Sequence, residues 1–270
     1  MDADRKRRGN PECYAQALCD CKGPIRNEHY VSESILKLVF GQAGEINNTV
    51  LVRGLAFQPL GVREFKGVAN LKAKILCERH NEFLGRESDS AGLAMFIAMD
   101  ALNSAAVNPA RRERVMRVDG DALERWMLKT FIGGLYSGNF RAGPGETMKG
   151  VCPPSDWLRI LFKGAEFPSG SGLYWLAGTP GSVFNTDEEV LQLEPIVSSS
   201  EGATEARGLR VRFFGFNFAL SMDRLLPTGS GLFGNVAHRP AGVNVKKADA
   251  GITFDWKHGA ASEKIVVARL

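Results

Sequence analysis

One split set of residue types constrains this chain more than any other feature. It reads Cys19-Asp20-Cys21, then Glu28-His29, then Asn70-Leu71, then Cys77-Glu78-Arg79-His80-Asn81. Two short Cys/His pairs bracket an acid–histidine pair, and an asparagine follows the second pair directly. Four-coordinate zinc takes thiolates and imidazoles, and structural sites usually draw on two close pairs from separate turns. Cys77-x-x-His80 has that spacing, whereas Cys19-x-Cys21 is tighter. Zinc on Cys19, Cys21, Cys77 and His80 would tie the start of a strand to the start of a helix. It would thereby fix the distance between His29 and Asn81. The bland alternative is a set of buried thiols with His80 as a polar residue of a helix N-terminus. Cys13 and Cys152 stand apart and read as buried or free thiols.

The bulk properties exclude more than they specify. Lys and Arg number 34 against 30 Asp and Glu, a net charge of +4, and neither half is strongly basic. Any nucleic-acid binding must therefore use local patches. Arg5-Lys6-Arg7-Arg8 reads as a solvated arm. The first residues are charged with no apolar stretch after them, and no apolar run is long enough to span a bilayer. This reads as a cytoplasmic protein with no membrane partner. In a reducing compartment, clustered cysteines are better metal ligands than disulfides.

The expected class is α+β, with a first domain over 1–106 and a helix plus antiparallel β-rich domain over 107–270. Residues 24–32 read as a short extended segment, and 32–69 as a long connection with a helix over 34–40. Residues 73–77 read as a strand, and 80 to about 105 as one helix. Asp121 is a plausible N-cap with Glu124 as its capping-box partner, for a helix stopping at Gly133-Gly134. Short segments rich in Val, Phe and Ile follow from residue 170. Leu209, Val211 and Phe213 alternate on one parity and Phe214, Phe216, Phe218, Leu220 and Met222 on the other. That shift predicts a bulge or bend near 213–215. The phenylalanines read as a buried strand rather than a base-stacking platform.

Hydrolysing a phosphodiester needs an activated water and charge stabilisation at the leaving oxygen. A histidine of near-neutral pKa supplies the first and a hard divalent ion the second. Alone, Glu28-His29 means little, and its weight comes from its neighbours. Asn81 opens a helix directly after His80, with Gly85 and Asp89 at i+4 and i+8 on the same face. Taken alone, Asn81 is equally a capping residue. Asn70 reads as a turn asparagine or as a brace for the loop carrying His29.

The order Cys pair, Glu-His, Asn-Leu, Leu-Cys-x-x-His-Asn resembles the HNH endonucleases of the ββα-metal fold, in their zinc-bearing variety. The resemblance covers roughly residues 13–105. It implies a ββα-metal HNH domain with a zinc knuckle. His29 would be the general base, with Glu28 and Asn81 ligands of a catalytic Mg2+ or Mn2+ and Asn70 the brace. Cys19, Cys21, Cys77 and His80 would hold structural zinc, and Asp89 is an additional candidate ligand. This sequence departs from the pattern in its Cys-x-Cys knuckle, in His80 where cysteine is usual, and in Asn81 where histidine is usual. The gap between His29 and Asn70 is also long.

Two functional classes follow. The first is a metal-dependent endonuclease that hydrolyses DNA, with bacterial antiviral defence as its setting by analogy. RNA is not separated from DNA by any residue, and a homodimer would place two single cuts on opposite strands. The second is a non-catalytic zinc module that binds nucleic acid or protein. A nuclease should need Mg2+ or Mn2+ besides zinc, and a binding module zinc alone.

Overall fold

The computed structural model describes residues 10–40, 49–53, 63–67, 71–107, 115–143, 146–147, 152–176, 191–200, 203–213, 216–223, 236–245, 250–258 and 262–268. Asn70 and the basic run at 5–8 lie outside them. A 3-10 turn, Gln16–Leu18, precedes β1 (Ile25–His29) and α1 (Glu33–Phe40). Next come β2 (Thr49–Arg53), β3 (Arg63–Gly67), β4 (Lys72–Cys77), α2 (Glu78–Glu87), α3 (Asp89–Val107) and β5 (Val115–Asp119). Then follow α4 (Gly120–Tyr136), β6 (Arg141–Gly143), β7 (Glu146–Thr147), α5 (Ser155–Lys163) and β8 (Gly172–Leu176). The remaining strands are β9 (Leu191–Ser200), β10 (Ala203–Phe213), β11 (Phe216–Ser221), β12 (Val236–His238), β13 (Pro240–Val245), β14 (Ala250–Asp255) and β15 (Ser262–Ala268).

The architecture is mixed α+β with several antiparallel sheets. β1 pairs antiparallel with β4, with Ile25 opposite Cys77 and His29 opposite Lys72. α2 follows β4 without a linker, so β1, β4 and α2 form a strand–strand–helix unit. A five-stranded sheet runs β12-β8-β11-β10-β9, and a four-stranded sheet runs β15-β13-β14-β5. The second sheet is not wholly antiparallel: β13–β15 and β14–β5 are parallel pairs. Among the described residues no helix is long and apolar enough to cross a membrane.

α4 lies at the centre. All but Arg125 and Tyr136 of its 17 residues are buried, as expected of a helix packed on every side. It touches α2, α3, α5 and strands of both large sheets. One apolar core runs from Cys13 through Trp126 to Phe254.

Four local expectations change. The helix expected from residue 80 to 105 is two helices. At Ser88 (φ −125°, ψ −32°) the hydroxyl donates to Leu84 O at 2.9 Å, closing α2, and Asp89 opens α3. The cap of α4 is Asp119, whose carboxylate accepts from Ala122 N at 2.9 Å. Asp121 instead accepts from Lys257 N at 2.6 Å, and Glu124 is engaged with Arg239. Gly133 and Gly134 do not stop α4. A Cβ on Gly133 would lie 2.7 Å from that of Tyr30, and one on Gly134 2.2 Å from the Phe140 ring, so these glycines serve close approach. The shift of parity near Phe213 marks a chain reversal, not a bulge: β10 and β11 are antiparallel, with Phe213 opposite Phe216 and Val211 opposite Phe218. Phe213, Phe216 and Phe218 are all buried.

Candidate metal centre and the site beside it

Cys13, Cys21, Cys77 and His80 converge, their ligand atoms all within 4.8 Å of one another. Sγ of Cys13, Cys21 and Cys77 stand 3.5, 3.8 and 3.2 Å from His80 Nδ1. A tetrahedron with Zn–S of about 2.3 Å and Zn–N of about 2.0 Å has S···N edges of about 3.5 Å. The donor set and its spacing therefore fit a metal such as zinc.

The backbone explains the convergence. Cys77 ends β4 as the extended N-cap of α2, and His80 sits in the first turn. Glu78 N and Arg79 N donate to Pro24 O and Lys22 O, at 2.9 and 3.1 Å, drawing the segment after Cys21 against the helix start. Tyr14 N donates to Ile75 O at 3.0 Å, which lays Cys13 beside the end of β4. Cys19 was expected in this site and is not there; Cys13 takes its place. Cys19 ends the 3-10 turn in the left-handed region (φ 56°, ψ 21°), where its exposed thiol points back to Ala17 O. The helical turn thus directs Cys19 outward and leaves Cys21 facing inward. The seven residues between Cys13 and Cys21 hid the pair from a reading based on short spacings.

Outside the four ligands, Asp20 Oδ1 lies 2.9 Å from His80 Nε2. Burial holds the ring below the ordinary histidine pKa, against Asp20. A carboxylate only accepts, so Nε2 carries the proton and Nδ1 turns a lone pair to the thiols. Asp20 is itself held by Lys163 of α5 at 2.8 Å and Arg79 at 3.4 Å. Although burial opposes it, Lys163 and His80 keep the Asp20 carboxyl below its usual range. Burial raises the Cys13 and Cys21 thiols above theirs. A divalent cation reverses that preference, because coordination deprotonates a thiol outright.

The second cluster lies at the other end of β1. Glu28 is buried and His29 half-buried, on opposite faces of the strand. Lys129 Nζ of α4 lies 2.5 Å from Glu28 Oε1 and 2.7 Å from Asp89 Oδ1. Ser32 Oγ donates to the same Asp89 oxygen at 2.6 Å and accepts from Trp126 Nε1 at 3.1 Å. Burial drives the Glu28 carboxyl up to about 7 against the pull of Lys129. For Lys129, burial acts downward, and the two carboxylates outweigh it to hold the ammonium above its ordinary value. Burial lowers His29, with Lys72 and Lys129 adding to the effect.

The expected site is thus brought together in part. Glu28, His29 and Asp89 share one neighbourhood. Among the described residues no hydrogen bond or ion pair joins Asn81 to them. Asn81 Oδ1 and Glu28 Oε1 are both buried without a hydrogen bond, and the Lys129 ammonium stands against Glu28 as an ion pair. Sequence reading missed Lys129, an unremarkable lysine in an apolar helix; only its burial gives it away. No family model, no curated protein and no solved structure matches the chain.

Proposed function

We propose that this protein is a metal-dependent endonuclease of the HNH type that hydrolyses DNA phosphodiester bonds with His29 as general base. The observation that carries the reading is the place of His29. It ends β1 in a strand–strand–helix unit whose strand–helix corner bears the Cys77/His80 metal cluster. Burial keeps its ring neutral near pH 7, the form that accepts a proton from water. Lys72 lies directly across from His29, and Lys74 follows two residues later on the same exposed face. Two ammonium groups beside the base suit a polyanion whose phosphates they would position. A divalent ion, when bound, would offset charge on the leaving oxygen; Asn81 and Glu28 are the side chains that would hold it.

The second reading, a zinc module that binds without cutting, is favoured by one observation: Lys129 already neutralises Glu28 and Asp89. Plasmid cleavage by purified protein in Mg2+, Mn2+ or EDTA, beside His29→Ala, separates the two. The nuclease reading expects metal-dependent cutting that His29→Ala loses. Cutting by His29→Ala at the parent rate, or none by either protein with zinc bound, would overturn it.

A further inference from the structure

We infer that the Cys13/Cys21/Cys77/His80 cluster, when it holds zinc, is a peroxide-sensitive switch: Cys21 takes the oxidant, Cys13 closes a disulfide onto it, and the metal is released. The inference is independent of whether the protein cuts nucleic acid.

Exposure within the cluster is uneven. Cys13 and Cys77 are fully buried and His80 is 2% exposed, whereas Cys21 is partly exposed. A small oxidant therefore meets the cluster at one sulfur. Coordination deprotonates a thiol, and the thiolate is the form that attacks a peroxide. A free cysteine is only a few per cent thiolate at about pH 7. The Cys21 thiolate attacks one peroxide oxygen. The O–O bond breaks, hydroxide leaves, and the sulfur, oxidised by two electrons, becomes a sulfenic acid. Cys13 is the fitting second thiolate. The ligand atoms all lie within 4.8 Å of one another, against an S–S bond of about 2.05 Å. Cys77 is held at the corner of β4 and α2, opposite Ile25 in the strand pair. Cys13 and Cys21 lie within residues 10–24, where the 3-10 turn is the regular element, so they can close the gap without moving strand or helix. The Cys13 sulfur attacks that of Cys21, the S–S bond forms, the S–O bond breaks and a second hydroxide leaves. Two thiolates and one peroxide thus give one disulfide and two hydroxides. Cys77 and His80 are then what remains of a four-ligand site, and its release of the metal loosens the tie between residues 10–24 and the start of α2.

Hydrogen peroxide added to zinc-loaded protein at neutral pH tests this. Zinc release is followed with a chromogenic chelator, and each thiol by alkylation and mass spectrometry. Cys19 and Cys152 are exposed and outside the ligand set, so they report the fate of a surface thiol in the same sample. Zinc should leave in step with a Cys13–Cys21 disulfide, about tenfold faster than Cys19 is oxidised. Dimedone present from the start should trap a sulfenic acid at Cys21, and dithiothreitol with added zinc should restore the cluster. Oxidation of Cys19 while Cys21 stays reduced and zinc stays bound would overturn the inference. So would a disulfide from Cys21 to Cys19 or Cys77 in place of Cys13, or a protein that takes up no zinc. Cys19→Ser/Cys152→Ser leaves every ligand in place and should release zinc at the parent rate. If that variant keeps its zinc, the exposed thiols are the sensors and the inference fails.

Discussion

The Asp20 carboxylate accepts the Nε2 proton of His80 at 2.9 Å while Lys163 and Arg79 hold Asp20 from the other side. One acid thus orients the ring that faces the three thiols and ties the cluster to α5. Asp20→Asn keeps the shape but weakens the acceptor. Partners of this kind are typically worth 10- to 100-fold in metal affinity. We expect a loss of about that size for zinc, measured by competition with a chromogenic chelator.

Cys13 and Cys19 make an internal control, since only Cys13 belongs to the cluster. Cys13→Ser should lose bound zinc, measured by elemental analysis, and lower the unfolding temperature. Cys19→Ser should keep both, because its thiol is exposed and outside the ligand set. The reverse pattern would restore the Cys19 assignment.

On the proposed nuclease reading, the pH dependence of cleavage follows from His29. Burial depresses its pKa, so the neutral, proton-accepting form persists to lower pH than for a free histidine, whose pKa is about 6.5. The midpoint of the acid limb in a rate–pH profile should lie below that value. A limb above 6.5 that His29 controls would contradict the environment described.

The Glu124–Arg239 pair predicts a large asymmetry. Arg239 donates to both Glu124 oxygens, at 2.9 and 2.8 Å, and Leu173 N donates to one of them at 2.7 Å, all buried. Arg239→Ala should cost about 3–5 kcal/mol, because it strands a buried carboxylate. Removing both charges, as in Glu124→Leu/Arg239→Met, should cost clearly less. Urea unfolding of the single and double variants measures the difference.

Legibility in the sequence followed the range of the signal. α1, β4 and most C-terminal strands were readable because local periodicity encodes them. The thiol at Cys21 and the Cys77/His80 pair were readable from spacing. Cys13 was not, since its approach depends on one backbone bond to Ile75. The hairpin of β10 and β11 was visible only as a change of parity. With Phe213 opposite Phe216 in an antiparallel pair, the partner of an odd-numbered residue is even-numbered, so one apolar face switches parity as a bulged strand does. Asp89 seemed to continue the face of Asn81, until Ser88 broke the helix. Lys129 carried no local signal, because a buried ion pair is made by tertiary contact alone.

The pairing of β5 with β14 has a consequence for synthesis. Thr253 Oγ1 reaches Met116 O across 137 positions of chain, and Gly251 to Asp255 lie beside Val115 to Asp119. On the ribosome, β5 emerges long before its partner exists. Contacts so distant in sequence form slowly, and an unpaired strand edge is a hazard while it waits. The nascent protein must therefore carry an open edge at β5 through the making of more than a hundred further residues, an interval in which a chaperone has reason to engage it.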